Sequence, residues 1–224
     1  MVRLRSSPNW FMDEPQMKVL IACEFSGTVR DAFIKGGYEA MSCDIEPTDV
    51  PGPHYQGDMF DIINDGWDMM IAFPPCTHLA CSGAKHFAQK RTDGRQQQGI
   101  DFFLKVVNAN IPKIAIENPV GIMSSIYRKP DQIIQPWHFG HEAQKTTCLW
   151  LKNLPPLQHT NVVDKGSFYI TKSGKRMPSW SHDTVGVDGK KLGYNTAEIK
   201  KIRNKTFQGI ADAMAQQWGN DRFI

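Results

Sequence analysis

The chain has 224 residues, 41% of them hydrophobic and 22% charged, which is an ordinary composition for one globular domain. No apolar run approaches the roughly 18–20 residues that a membrane-spanning helix needs, so we expect no membrane partner. The first 16 residues lack the apolar segment of a secretory signal. Five cysteines, an odd number without framework spacing, predict a reduced, cytoplasmic protein.

Basic residues are concentrated towards the end of the chain. The net charge is only +3, but residues 165–205 contain ten Lys and Arg against three Asp and Glu, a local charge of +7. This asymmetry favours a polyanionic partner such as nucleic acid. A solvated lysine-rich face has the same composition, so charge alone leaves both interpretations open.

Predicted strands and helices alternate along the chain. The strands are 18–23, 38–44, a short one before Gly57, 67–73, 113–116 and 146–151, and the helices follow Ser26 and span 96–110 and 197–218. This alternation predicts an α/β domain with a mostly parallel sheet and helices on both faces. We divide the chain into an N-terminal extension (1–16), a core (17–154), a small basic insertion (155–195) and a C-terminal helix that returns to the core (196–224).

Acidic residues follow the first three predicted strands. Glu24 opens a turn that ends at Gly27, and Asp44 and Asp58 follow the second and third strands. Because ligands of such sheets bind at the carboxyl ends of the strands, Asp44 is placed to hold a ribose and Asp58 an adenine amino group. A full Gly-x-Gly-x-x-Gly fingerprint is absent, which favours S-adenosylmethionine over NAD. A plain strand–helix turn at Gly27 and a Gly-Asp turn at Asp58 explain the same residues without a ligand.

A cysteine directly follows the double proline that ends the fourth strand. Pro74-Pro75 fixes the backbone, so the Cys76 thiol is held at the ligand edge of the sheet. Glu117 ends the next strand and is expected at the same edge. A thiolate beside a carboxylic acid suits attack on C6 of a pyrimidine, with the acid at N3. The remaining cysteines fit buried positions or, at Cys81, an undecided one.

These motifs resemble those of DNA cytosine-5 methyltransferases, particularly the short phage and prophage members. The resemblance covers roughly residues 18–218. It is carried by Phe25-Ser26-Gly27, Asp44, Asp58, Pro75-Cys76, Glu117-Asn118, the stretch FGHEAQKTTCLWL before the sixth strand, and Thr206-Phe207-Gln208 in the tail. The Cys76/Glu117 pair, in that order and spacing, is its most specific part.

The resemblance implies a Rossmann-like methyltransferase fold and transfer of a methyl group from S-adenosylmethionine to cytosine C5 in DNA. Cys76 would form a covalent bond to C6 of an extruded cytosine, and Glu117 would act at N3. The implied cofactor site consists of Glu24, Phe25, Gly27, Asp44, Asp58 and Pro74. The implied substrate contacts are Asn118, Lys85, Arg91, Arg95 and Lys145.

The chain departs from the family pattern at several positions. Val29 replaces a glycine, Thr77 a glutamine, and Thr146 and Cys148 two arginines, so Lys145 or Arg91 is expected to take over the arginine role. Residues 155–195 are too few for the usual target-recognition domain, which predicts either short or absent sequence specificity or a different substrate. Residues 82–98 suit a mobile loop whose Lys85, Lys90, Arg91 and Arg95 hold phosphates.

Three alternatives have different chemistry. Zinc ligation by Cys76, His78, Cys81 and His86 matches no common spacing, so we expect no metal. An exocyclic-amine DNA methyltransferase needs an acid or amide before Pro-Pro, where this chain has Phe73. A non-catalytic nucleic-acid-binding protein on a methyltransferase frame fits the altered glycine and arginines but not the retained Cys76 and Glu117.

Overall fold

The computed structural model describes residues 16–179 and 196–219. Over this part of the chain, seven strands form one sheet in the order β3-β2-β1-β4-β5-β7-β6, and two more form a separate hairpin. All neighbours from β3 to β5 pair in parallel, whereas β7 runs antiparallel to both β5 and β6. The predicted α/β class with a mostly parallel, Rossmann-like sheet is confirmed.

The elements have the following bounds. The strands are β1 Lys18–Ala22, β2 Glu39–Asp44, β3 His54–Gln56, β4 Met69–Ala72, β5 Lys113–Pro119, β6 Gln132–Ile134, β7 Thr147–Lys152, β8 Phe168–Ile170 and β9 Arg176–Pro178. The α-helices are α1 Thr28–Lys35, α2 Met59–Ile62, α3 Phe87–Thr92, α4 Arg95–Val107, α5 Met123–Ile126, α6 Ala197–Asn204 and α7 Gln208–Trp218. Short 3-10 helices span Cys81–His86 and Pro136–His138.

Two apolar layers cover the two faces of the sheet. Successive residues of a strand point to opposite faces, so Val19 and Ile21 face one layer and Leu20 and Ala22 the other. The first layer packs α1 and α7 against the sheet, and the second packs α4. Since both faces are covered, functional side chains can reach solvent only at the strand ends.

The C-terminal tail is two helices, not the single helix predicted for 197–218. Thr196 caps α6 by accepting a hydrogen bond from the Ile199 amide (3.3 Å), and the chain is extended at Phe207 before α7 begins. Gly209 lies so close to the carbonyl of Phe139 that a Cβ would overlap it, and its amide donates to His141 Nε2 (2.9 Å). This contact with a distant segment fixes where α7 starts.

Two further predictions from the pattern need correction. The part of residues 82–98 that precedes the predicted helix 96–110 was predicted as a loop, but it forms most of the Cys81–His86 3-10 helix and all of α3. The short strand β6 was not predicted at all. The N-terminal extension up to residue 15, residues 180–195 of the basic insertion and residues 220–224 lie outside the described chain.

Candidate active site

Cys76 lies four residues after β4, and Glu117 lies in the last three residues of the adjacent parallel strand β5, which continues to Pro119 and is longer than the predicted 113–116. β4 and β5 pair in register, with Ala72 opposite Ile116, so both strands end at the same edge of the sheet. Asn118 is buried and its Nδ2 donates to the Pro74 carbonyl (2.8 Å), which ties the two strand ends together. The sheet therefore brings the thiol and the carboxyl group to one site.

A tight turn holds the thiol in place. The Cys76 carbonyl accepts hydrogen bonds from the amides of Leu79 and Ala80, both at 2.9 Å. The Pro75 ring is exposed, Pro74 is buried and Cys76 itself is partly buried. The partly accessible thiol is therefore held on a fixed backbone at this edge of the sheet.

The electrostatic surroundings favour the protonated form of both groups. Burial, followed by the nearby Glu117 carboxylate, raises the pKa of the Cys76 thiol, while Lys145 and Arg203 act in the opposite direction. Burial also raises the pKa of the Glu117 carboxyl group, against the opposing effects of Lys145 and a hydrogen bond with Thr147. The Glu117 carboxyl group thus favours its protonated form, and the positive charges of Lys145 and Arg203 act in favour of the Cys76 thiolate.

Lys145 and Arg203 come to the thiol from different parts of the chain. Lys145 precedes β7, and its Nζ donates to the Lys205 carbonyl just after α6 (3.3 Å). Arg203 is in the last turn of α6. Sequence reasoning selected Lys145 but missed Arg203, because only the folded position of α6 brings residue 203 near Cys76. The high positive charge of residues 165–205 was the only sequence feature that could have pointed to Arg203.

Glu24 is a buried acid in the turn after β1. Its Oε1 accepts hydrogen bonds from Ser26 Oγ (2.5 Å) and the Val29 amide (3.3 Å), whereas Oε2 is buried with no hydrogen-bond partner among the described residues. The Glu24 amide donates to the Cys43 carbonyl (3.0 Å), which places it beside the end of β2. An unpartnered buried oxygen here fits a ligand that brings a donor group.

Asp44 and Asp58 have different surroundings. Asp44 is partly buried at the end of β2, and burial raises the pKa of its carboxyl group even though the Glu46 amide donates to it (3.0 Å). Asp58 is exposed and caps α2, accepting a hydrogen bond from the Phe60 amide (3.0 Å). Both carboxyl groups therefore have a local backbone partner two residues on, and they differ in that Asp44 is partly buried at the end of β2 whereas Asp58 is exposed.

Position 27 requires a glycine for two reasons: its backbone conformation and the closeness of a buried arginine side chain. Its φ is +75°, and a Cβ would come within 2.5 Å of the Arg30 guanidinium and of Val50. Arg30 is fully buried and donates to Ser42 Oγ (3.2 Å) and the Val50 carbonyl (3.3 Å), among other acceptors. Arg30 thereby holds the loop after β2 against the turn after β1.

Helix α6 closes over this turn. Lys201 and Lys205 form ion pairs with Asp49 at 2.5 and 2.7 Å, and Lys201 Nζ lies 5.2 Å from the centre of the Phe25 ring. Burial tends to raise the pKa of the Asp49 carboxyl group, but hydrogen bonds and charge from the two lysines lower this pKa below its ordinary value. The Asp49 amide in turn donates to the Phe25 carbonyl (2.9 Å). The predicted cofactor residue Phe25 therefore lies under α6.

The basic residues proposed for phosphate contacts fall into two groups. Lys85 and Arg91 are exposed, and Arg95 is exposed but paired with Asp93 through two hydrogen bonds of 2.5 and 2.9 Å. Lys90 is buried and donates to the Thr77 carbonyl (2.5 Å), so it fixes the segment after Cys76 and is not available to hold phosphate.

Metal-binding and membrane-spanning features are both missing from the described chain. Within residues 16–179 and 196–219, there is no group of three or more His, Cys, Asp and Glu side chains arranged to hold a metal ion. In the same part of the chain, no helix is long and apolar enough to span a membrane.

Comparisons with known proteins give a distant structural match. No family model and no curated protein matches the sequence. Among solved structures, the chain is similar to the Entamoeba histolytica methyltransferase EhMeth, with 16% sequence identity and a TM-score of 0.45. That match covers 69% of this chain and 59% of EhMeth, so the chain spans less than two thirds of that protein.

Proposed function

We propose that the protein is a DNA cytosine-5 methyltransferase that uses S-adenosylmethionine and a covalent Cys76–C6 bond. The observation that carries the proposal is the meeting of Cys76 and Glu117 at the ends of β4 and β5, with Lys145 and Arg203 beside them. This set of groups combines a nucleophile, a proton donor and positive charge at one place.

The cofactor site is proposed on the turn after β1 and the end of β2. Glu24 offers an unpartnered buried oxygen, Asp44 a partly buried carboxylate, and Phe25 an aromatic face beneath α6. These residues fit a ligand with an amino group and ribose hydroxyls. When bound there, S-adenosylmethionine supplies an electrophilic methyl group.

The protein's own groups perform the remaining chemistry. Cys76 loses its proton to solvent, with Lys145 and Arg203 favouring the thiolate, and Sγ then forms a bond to C6 of cytosine. Glu117 donates its proton to N3, so the ring electrons collect at C5, where the methyl group is accepted. A solvent water then takes the C5 proton and the N3 proton returns to the Glu117 carboxylate, so that the C5–C6 double bond forms again, the S–C6 bond breaks and its electron pair returns to Cys76 as a thiolate.

The proposal is tested by trapping the covalent intermediate. An oligonucleotide in which the target cytosine is 5-fluorocytosine cannot lose a C5 proton, so the S–C6 bond persists and can be located by mass spectrometry. The wild-type protein and the Cys81→Ser variant, which changes an exposed cysteine nearby, should give an adduct on Cys76. Cys76→Ser should give none and transfer no methyl group.

Three outcomes would contradict the proposed function. Full methyl transfer by a folded Cys76→Ser protein would exclude covalent catalysis by this thiol. A product methylated on the exocyclic amine would support the amine methyltransferase alternative, and binding without any methyl transfer would support the non-catalytic one.

A further inference from the structure

The turn that carries Cys76 is held by buried polar side chains from two helices. Lys90 of α3 is 7% exposed, and its Nζ donates to the Thr77 carbonyl (2.5 Å). Gln96 of α4 is 5% exposed, and its Nε2 donates to the His78 carbonyl (3.3 Å). Each of the two residues that follow the cysteine is therefore held by one donor from outside the turn.

These two carbonyls are not served by the backbone of the turn. The turn uses the Cys76 carbonyl as the acceptor for the amides of Leu79 and Ala80, both at 2.9 Å. In the described part of the chain, no backbone amide donates to either of the next two carbonyls. The two buried side chains thus complete the hydrogen bonding of the turn.

Two glycines allow the neighbouring helices to approach this turn closely. A Cβ at Gly83, in the 3-10 helix before α3, would lie 3.3 Å from Lys90 Nζ. A Cβ at Gly99, three residues after Gln96 and therefore on the same side of α4, would lie 3.3 Å from the Leu79 side chain. Both distances are tighter than ordinary van der Waals contact, so a larger residue at either position would separate the helix from its neighbour.

A buried ammonium group is a costly way to stabilise a turn. Taking an ammonium out of water carries a large penalty, and an apolar side chain of similar volume often serves stability equally well or better. The Lys90 ammonium faces the Thr77 carbonyl and the ring of Phe87, whose centre lies 6.0 Å from Nζ. Neither partner carries a full negative charge that would offset the cost. A lysine at this position therefore indicates a role for the donor itself.

The charge of Lys90 acts on His78 and not on the thiol. Burial, followed by the charge of Lys90, lowers the pKa of the His78 imidazole. The cations that act to lower the pKa of the Cys76 thiol are Lys145 and Arg203. Lys90 is therefore expected to affect Cys76 through the backbone of the turn.

We propose that Lys90 and Gln96 are positioning residues that fix the direction of the Cys76 thiol at the sheet edge. Each holds a carbonyl within two residues of Cys76, so together they restrict the peptide planes that follow the cysteine. Attack on a ring carbon requires Sγ about 3–3.5 Å from that carbon and aligned with its orbital, so a loose turn lowers the rate even when the substrate is bound. The inference rests on the proposed function for the identity of the substrate, whereas the hold on the turn does not depend on it.

Hydrogen–deuterium exchange tests the hold on the turn without any substrate. Lys90→Met and Gln96→Met keep side chains of similar length but remove the donors. Each should speed exchange of the Leu79 and Ala80 amides about 10-fold, as expected for the loss of one hydrogen bond that supports the turn.

Matched controls separate this effect from general changes in the two helices. Gln89→Met and Gln97→Met replace exposed residues directly beside Lys90 and Gln96, and should change the same exchange rates by less than about twofold. Thermal unfolding of each variant confirms that folded proteins are compared. If Lys90→Met and Gln96→Met exchange like these controls, the proposal is overturned.

The rate of covalent trapping measures the chemical consequence. With an oligonucleotide that contains 5-fluorocytosine, Lys90→Met should form the Cys76 adduct about 10- to 100-fold more slowly, while the Kd for the oligonucleotide is unchanged. The pH midpoint for alkylation of Cys76 by iodoacetamide should equal that of the wild type, whereas Lys145→Met should raise it because a nearby cation is lost. A wild-type trapping rate, or a midpoint raised as much as in Lys145→Met, would contradict a positioning role.

Failure of the proposed function gives a different result. A wild-type protein that forms no adduct and transfers no methyl group would refute the proposed chemistry at Cys76. The exchange rates of the Leu79 and Ala80 amides would still decide whether Lys90 and Gln96 hold the turn.

Discussion

Replacing Glu117 by glutamine separates the catalytic role proposed for this residue from its effect on stability. Glutamine has nearly the same shape but cannot donate a proton to N3. General acid catalysis typically contributes about 100- to 10,000-fold, so methyl transfer to cytosine should fall by that factor. Transfer of labelled methyl groups at saturating donor and DNA measures the loss.

The stability of the same variant should change in the opposite direction. Burial raises the pKa of the Glu117 carboxyl group above its ordinary value of 4.5, so the folded state holds this proton more tightly than the unfolded state. Unfolding free energy therefore falls as pH rises from the ordinary to the raised pKa, by up to about 1.4 kcal/mol for each unit of difference. The glutamine side chain in the variant carries no charge and avoids that loss.

Thermal or denaturant unfolding at pH 5 and pH 8 checks this prediction. The difference in unfolding free energy between Glu117→Gln and wild type should shift in favour of the variant at the higher pH. Glu142→Gln is the matched control, because Glu142 is exposed and its replacement should change neither activity nor the pH dependence. A variant that is active, or that is destabilised more at pH 8 than at pH 5, would refute the reasoning.

Two other substitutions test the support of the cofactor end. Arg30→Met removes a fully buried guanidinium that holds the loop after β2, and should lower the unfolding free energy by about 3–5 kcal/mol in denaturant titrations. The control is Arg91→Met, which changes an exposed residue and should lower the unfolding free energy by less than about 0.5 kcal/mol. Asp49→Asn weakens the ion pairs with Lys201 and Lys205. The Kd for S-adenosylmethionine, measured by calorimetry, should rise several-fold, and the unfolding free energy should change by less than about 2 kcal/mol. Unchanged affinity relative to the control Asp65→Asn would show that α6 does not support the cofactor site.

The sequence predicted the parts of the fold that depend on local signals. The apolar runs that form β1, β4 and β5 and the Pro74-Pro75 stop are local, so the common edge of Cys76 and Glu117 followed from the alternation of strands and helices. The strand β6 was missed because it has only three residues and its central Ile133 is exposed, which leaves no recognisable pattern. The assignment of each residue to a catalytic or binding role stays a prediction.

Other features depend on contacts between distant segments and have no local signal. One continuous helix fits the spacing of the apolar residues Ile199, Ile202, Ile210 and Met214. The structure has two helices there, and the close contact of Gly209 with the Phe139 carbonyl accounts for where the second begins. Arg30 is a comparable case, since arginines are almost never fully buried unless paired, and its acceptors lie up to 21 residues away.

Helix α6 provides the physical link between the two ends of the candidate active site. Lys201 of α6 pairs with Asp49 beside the turn after β1, while the carbonyl of Lys205, the residue that follows α6, accepts a hydrogen bond from Lys145. Arg203 in the same helix adds positive charge near Cys76. Because α6 contacts both ends, a ligand that packs against Phe25 beneath α6 should also hold Arg203 near the thiol. Donor binding should therefore increase the reactivity of Cys76 towards cytosine beyond simple proximity of the substrates.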